Sequence, residues 1–311
     1  MIKLGIVIPC YNEEQVLSET IARLGALLAE LCKCNKISAD SAVYLIDDGS
    51  EDNTWKLIQA SAAEDSRIRG IKLSRNRGHQ SALIAGLETA EGDALISIDA
   101  DLQDDLGVIE KMVDLHIAGA DIVYGVRESR KNDGLFKRAT AEFYYRILSR
   151  MGVQIVFNHA DYRLMSRRAI KALMAYSEVN LFLRGIVPQL GYTTAVVAYD
   201  RGERFAGESK YSLRKMIGLA VNGITSFSVV PLRLIAGLGL AISLFSLFMI
   251  VWVVLGKILL HSVMPGWASS VVPIYLLGGI QLLSVGIIGE YVGKIYLETK
   301  RRPRYFIEDE I

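Results

Sequence analysis

The sequence predicts an α/β fold with a mostly parallel sheet, followed by membrane-associated helices. Three observations carry this reading. Short apolar runs alternate with helical patterns from Lys3 as far as Gly125, the signature of a sheet built from β-α units. Polar clusters close each apolar run, and the carboxyl edge of a parallel sheet is where such folds bind ligands. Two later stretches, Leu234 to Gly256 and Ala268 to Gly289, carry no charged residue. Each is long enough to cross a ~30 Å hydrocarbon core, which takes about 20 residues.

The elements follow in order. Lys3 to Pro9 reads as a strand ending in Cys10-Tyr11-Asn12-Glu13-Glu14. Val16, Leu17, Ile21, Leu24, Leu27, Leu28 and Leu31 then recur on one face of a helix. Ala42 to Ile46 is a second strand, closed by Asp47-Asp48-Gly49-Ser50, with a helix start at Glu51 to Thr54. Ile68 to Leu73 is a third strand, and a helix follows near Gln80 to Ala90. Ala94 to Ile98 is a fourth, and Asp105 to Gly119 is helical. Asp121 to Gly125 is a fifth strand, leading to Arg127. Leu135 to Met151 and Ser212 to Ser228 keep helical apolar spacing. The second of these runs directly into the first charge-free stretch, which favours an interfacial position. The expected organisation is a catalytic domain over residues 1–211, a juxtamembrane amphipathic helix over 212–230, a transmembrane hairpin over 231–296 and a basic tail over 297–311.

Composition narrows the class. The chain of 311 residues is 51% hydrophobic with a net charge of +1, so bulk charge gives no reason to expect a nucleic-acid partner. Cys10, Cys32 and Cys34 form no disulfide framework and no paired metal motif. No signal peptide precedes the first strand. Lys300, Arg301, Arg302 and Arg304 follow the second span, which by the positive-inside rule places both termini and the catalytic domain in the cytoplasm. Gly278, Gly279, Gly286 and Gly289 in that span suit close helix packing and a homo-oligomer.

The chemistry concentrates after the fourth strand, in Asp99-Ala100-Asp101-Leu102-Gln103. Two carboxylates one residue apart repel unless a cation joins them. Carboxylate and amide oxygens are hard ligands, which favours Mg²⁺ or Mn²⁺. A solvated acidic turn is the alternative for this motif alone. No G-x-G-x-x-G follows the first strand and no Walker A sequence occurs, so neither dinucleotide chemistry nor P-loop chemistry is indicated.

Four motifs in order, Tyr11-Asn12-Glu13-Glu14, Asp47-Asp48-Gly49-Ser50, Asp99 to Gln103 and Arg204-Phe205-Ala206-Gly207-Glu208-Ser209-Lys210-Tyr211, resemble those of inverting family 2 glycosyltransferases with the GT-A fold. The resemblance is to the polyprenyl-phosphate hexosyltransferases, the group of dolichol-phosphate mannose synthase. With the C-terminal hairpin it is strongest to bacterial bactoprenol glucosyltransferases. It implies that Pro9, Tyr11, Asn12 and Glu13 line a nucleotide pocket and that Asp48 lies near base and ribose. It implies that Asp99 and Asp101 hold the nucleotide-sugar through Mg²⁺ or Mn²⁺, with Gln103 a further metal contact and Ala100 among the nucleotide-sugar-binding residues. Arg127 matches a basic residue near the phosphates, Arg204 and Lys210 match cations of a loop over the donor, and Asp161 matches a position proposed as catalytic. For Asp161, general base, partner of Arg163 and contact to sugar hydroxyls all stay open, as does a site role for His79. The implied donor is UDP-glucose and the implied acceptor undecaprenyl phosphate at a bacterial inner membrane, with a flippase and a downstream glucosyltransferase as partners. GDP-mannose or a UDP-aminoarabinose derivative is an alternative donor. A processive synthase is disfavoured by the single hairpin and the lack of a Gln-x-x-Arg-Trp motif, and a non-catalytic adaptor by the intact motif set.

Overall fold

The computed structural model describes residues 1–127, 159–179, 182–200, 229–260 and 267–311. The helices expected at Leu135–Met151 and Ser212–Ser228 lie outside them.

The N-terminal half alternates as the apolar pattern dictates. Strands β1 (Leu4–Cys10), β2 (Ala42–Asp47), β3 (Ile68–Leu73), β4 (Ala94–Ser97) and β5 (Ile122–Arg127) are separated by helices α1 (Leu17–Lys33), α2 (Thr54–Glu64), α3 (His79–Thr89) and α4 (Val108–Ile117). Beyond them come β6 (His159–Ser166), α5 (Arg167–Met174), α6 (Leu183–Gln189) and β7 (Thr194–Tyr199). Two long helices, α7 (Val230–Leu260) and α8 (Trp267–Lys300), precede a last short strand, β8 (Ile307–Glu310). All strands among the described residues join one sheet in the order β7-β5-β6-β4-β1-β2-β3-β8.

The pairings make the sheet mostly parallel. β1 pairs in parallel with β2 and β4, β2 with β3, and β5 with β7. β6 runs antiparallel between β4 and β5. Its first residues therefore reach the edge where its neighbours end. Fully buried strands such as Leu4–Cys10 need apolar cover on both faces. One face packs on Leu24, Leu28 and Leu31 of α1, Ile58 of α2 and Met112 of α4. The other packs on Leu83 and Leu87 of α3, Ile170 of α5 and Ile186 of α6. A Cβ on Gly86 of α3 would sit 2.3 Å from Val7 Cγ1 and 2.7 Å from Ile46 Cγ1. Only glycine lets that helix lie so close to the sheet.

The final residues depart from the sequence reading, which set 297–311 apart as a basic tail. Ile307–Glu310 pairs antiparallel with the outer edge of β3. Ile311 exchanges backbone hydrogen bonds with Gly70, each at 2.9 Å, and Lys72 pairs with Glu308 at 3.0 Å. Acidic Glu308, Asp309 and Glu310 show no apolar alternation, so local sequence does not announce a strand here.

The long helices expose large apolar side chains. Leu240 is 63% exposed, Leu282 75% and Leu283 66%, and such a surface is stable against hydrocarbon rather than water. Among the described residues, one helical segment, Leu276–Lys300, is long and apolar enough to cross a membrane by length and composition. It lies further along the chain than the expected Ala268 to Gly289. The three cysteines are free thiols.

Candidate active site

The site forms where β1, β2, β4 and β5 end and β6 begins. The β4–β6 register pairs Ser97 with Arg163. Two residues on from Ser97 and two back from Arg163, Asp99 and Asp161 face each other across the two strands. Ser97 Oγ donates to the Asp161 carbonyl at 2.5 Å, which fixes this register locally.

Each carboxylate has its own cations. Asp161 Oδ1 lies 3.0 Å from Arg163 Nη2, and Asp161 Oδ2 lies 3.1 Å from Arg184 Nη2 of α6. Burial opposes ionisation of Asp161, but the two guanidinium groups outweigh it and hold its carboxyl well below the usual range. Asp99 Oδ1 lies 2.9 Å from Nε2 of His79, the first residue of α3. Burial would raise the Asp99 pKa, yet the hydrogen bond and charge of His79 leave it below the ordinary value. The same contact raises the His79 pKa against the opposing effect of burial.

The turn after Asp99 is shaped for display. The Ala100 carbonyl accepts from Thr20 Oγ1 of α1 at 2.9 Å. Leu102 takes a left-handed conformation with φ of 55°, uncommon for a residue with a branched side chain. Gln103 N–H then donates to Asp101 Oδ1 at 3.3 Å. Asp104 is buried and bonds Tyr199 Oη, while Arg127 Nη2 lies 3.4 Å from its Oδ1. Arg127 thus stands at the same edge, next to the acidic turn.

The loops after β1 and β2 are laced together. Asn12, also left-handed at φ 54°, donates its N–H to Ser50 Oγ at 3.0 Å and accepts from Glu51 N–H at 2.9 Å. Glu13 N–H donates to Thr54 Oγ1 at 2.9 Å. Pro9 is buried in β1 and Tyr11 is 38% exposed beyond it. Asp48 is almost wholly buried and accepts from the backbone N–H groups of Arg77 at 2.7 Å and Gly78 at 2.8 Å. It therefore anchors the loop before α3. A Cβ on Gly49, which has φ of 67°, would meet Asn76 N at 2.6 Å, so glycine is required for the two loops to meet.

One sheet edge therefore gathers Pro9, Tyr11, Asn12, Glu13, Asp48, Asp99, Ala100, Asp101, Gln103, Arg127 and Asp161. Arg204 and Lys210 lie outside the described residues. Sequence reasoning missed Arg184, Asp104 and Tyr199, which meet their partners only through the fold. Among the described residues, no group of three or more His, Cys, Asp or Glu side chains could form a metal cage. The donor set fits a different kind of ion site. Mg²⁺ commonly takes one or two carboxylates and completes its shell with substrate phosphates and water. Asp99 and Asp101, with Gln103 beside them, are such a partial oxygen set.

Fold and edge together define a GT-A-like α/β glycosyltransferase. The model of glycosyl transferase family 2 matches residues 5–174, more than half the chain, and the chain belongs to that family. An uncharacterised glycosyltransferase of Bacillus subtilis is 48% identical over 99% of this chain and 92% of its own length. A bactoprenol glucosyl transferase of Shigella phage SfX is 40% identical over 98% of this chain and 99% of its own length. Among solved structures, a Pyrobaculum calidifontis mannosyltransferase in complex with GDP-mannose and Mn²⁺ aligns with a TM-score of 0.49 at 15% identity, over 71% of this chain and 63% of that one.

Proposed function

We propose that the protein transfers glucose from UDP-glucose to undecaprenyl phosphate with inversion, giving a β-linked polyprenyl phosphoglucose for cell-envelope glycosylation. The observation that carries this is the carboxylate pair Asp99 and Asp101 at the sheet edge of a chain whose C-terminal helices expose apolar side chains. The full-length similarity to a phage bactoprenol glucosyl transferase supports the choice of sugar and lipid.

Asp99 and Asp101, with Gln103, would hold Mg²⁺ or Mn²⁺, which when bound supplies charge against the diphosphate leaving group. Pro9, Tyr11, Asn12 and Glu13 line the nucleotide side, and Asp48 shapes the adjoining loop. Arg127 lies on the phosphate side, and the cations of Arg204 and Lys210 would add to the charge it sets against the diphosphate. The acceptor phosphate oxygen forms a bond to the anomeric carbon from the face opposite UDP. The bond from that carbon to the UDP oxygen breaks, and UDP leaves with the electron pair. No proton has to move, because a phosphate monoester with a second pKa of about 6 is largely dianionic at neutral pH. A carboxyl held as low as Asp161 is a poor base. It serves instead as a positioning residue that fixes Arg163 and Arg184 beside the reacting groups.

The acceptor chain stays in the bilayer and only its phosphate reaches the sheet edge. Leu234 to Gly256 in α7 and Ala268 to Gly289 in α8 carry no charged residue and act as two spans. Lys300, Arg301, Arg302 and Arg304 then keep both termini on the cytoplasmic side of the bacterial inner membrane. The spans also mediate self-association, and a flippase and a downstream glucosyltransferase use the product. The test is full-length protein in detergent with undecaprenyl phosphate, Mg²⁺ and radiolabelled UDP-glucose, with EDTA as control. Metal-dependent entry of label into the lipid phase is expected. Transfer from GDP-mannose or a UDP-aminoarabinose derivative but not UDP-glucose would overturn the sugar alone. No transfer from any of these donors, in folded protein, would overturn the activity.

A further inference from the structure

Glu298 near the end of α8, and Arg304, Tyr305 and Phe306 just beyond it, tie the chain back to the catalytic domain. Glu298 accepts the Val179 N–H at 2.8 Å. Arg304 donates to the carbonyls of Tyr176 and of Glu178, the latter at 3.0 Å. Tyr305 Oη donates to the Glu88 carboxylate on α3. The Phe306 carbonyl accepts from Ser74 N–H at 2.9 Å, and the Arg77 guanidinium lies over the Phe306 ring, 5.9 Å from its centre. Ser74 and Arg77 belong to the loop that leads into α3. The inner side of that loop is pinned by Asp48 through Arg77 and Gly78. Its next residue is His79, whose imidazole meets Asp99.

We infer that His79 is a positioning residue for Asp99, and that the segment Arg304–Phe306 sets its place through the Ser74–Gly78 loop. The outer contact comes from the chain leaving the membrane-associated helix, and the inner one ends on a carboxylate of the proposed ion site. The loop between them packs close to Gly49, where a Cβ would meet Asn76 N at 2.6 Å. The position of α8 and the orientation of Asp99 are therefore linked. A ligand carboxylate held by a neighbour binds metal better than one free to rotate, and losing such a neighbour typically costs 10–100-fold in metal affinity.

This inference rests on the reading of Asp99 as part of a divalent-cation site. The experiment is a Mn²⁺ titration of the full chain in detergent, followed by electron paramagnetic resonance, with UDP or GDP present. His79→Ala is expected to weaken Mn²⁺ binding about tenfold, with His79→Gln, which keeps a donor toward Asp99, recovering part of the loss. Phe306→Ala should weaken it about threefold, the scale of an exposed cation–π contact. Phe306 is 54% exposed, so its truncation leaves the core intact, and Phe306→Trp should behave as wild type. The double variant should match His79→Ala alone, because both changes act through one side chain. Multiplying effects, or no effect of Phe306→Ala, would overturn the coupling. His79→Ala protein that binds as wild type does would overturn the positioning role. Wild-type protein that fails to bind Mn²⁺ in the presence of UDP and in the presence of GDP would overturn the underlying ion site as well.

Discussion

Asp48 and Asp161 stand at the same sheet edge and are held in opposite ways. Asp48 ends the parallel half of the sheet and is satisfied by two backbone N–H groups. Asp161 opens the antiparallel strand β6 and is satisfied by two guanidinium groups. Burial raises the pKa of Asp48, whose backbone partners only partly offset it. Arg184 and Arg163 lower that of Asp161 despite burial. Backbone donors shape a loop without adding charge to the site. Arginines add charge, and they become a liability once their partner is lost. One half of the edge is therefore built for shape and the other for charge.

The comparison can be broken first at its most charged point. Asp101→Asn or Asp99→Asn should cut transfer roughly 10³-fold, the scale of losing a preorganised electrostatic contact. The Asp99 side chain is 39% exposed, so the thermal midpoint should hold. A folded Asp101→Asn protein with full activity would sink the ion site. Asp161→Asn should chiefly cost stability, because Arg163 is 1% exposed and would be left buried beside a neutral amide. Breaking a buried pair costs about 3 kcal/mol, and a catalytic domain of this size should melt roughly 10 °C lower. An unchanged midpoint would show that Arg163 finds other partners.

Asp48→Asn should cost less, about 1–2 kcal/mol, because one acceptor oxygen survives. Its signature is faster amide exchange at Arg77 and Gly78, and protection there equal to wild type would remove Asp48 as the loop anchor. The smallest expected effect is in acid, where the two residues differ in sign. Asp161 has a depressed folded pKa, so its contribution is complete above the unfolded pKa of about 4 and is lost as pH falls through the folded value. Asp48 has a raised folded pKa, so it takes up its proton first in the folded state and its burial penalty is relieved as pH falls. Melting series below about pH 5 should be flatter for Asp161→Asn than for wild type and steeper for Asp48→Asn. The same slope in both variants would break the contrast.

Legibility in the sequence followed the same division. The strands β1 to β5 were readable because apolar runs and the polar residues closing them are local signals. Expected Ile68 to Leu73 coincides with β3, and expected Ala94 to Ile98 differs from β4 by one residue. The family motifs pointed to the loops after β1 and β2 and to the carboxylate pair after β4. The strand β6 was not readable, since His159 to Ser166 mixes charged, polar and apolar residues and takes its place by pairing with β4. Arg184 carries no mark of function in its own helix. It is 23 positions from Asp161, and only the fold brings them together.

The closing strand has a consequence for how the chain matures. Lys72 and Glu308, which pair across β3 and β8, are 236 residues apart. Translation proceeds from the N-terminus, so during synthesis the β3 edge waits until both long helices have been made. An open edge is a template for pairing with another chain. Until Ile307–Glu310 emerges, the nascent sheet is exposed to such misassembly, and its pairing with β3 is the step that ends it.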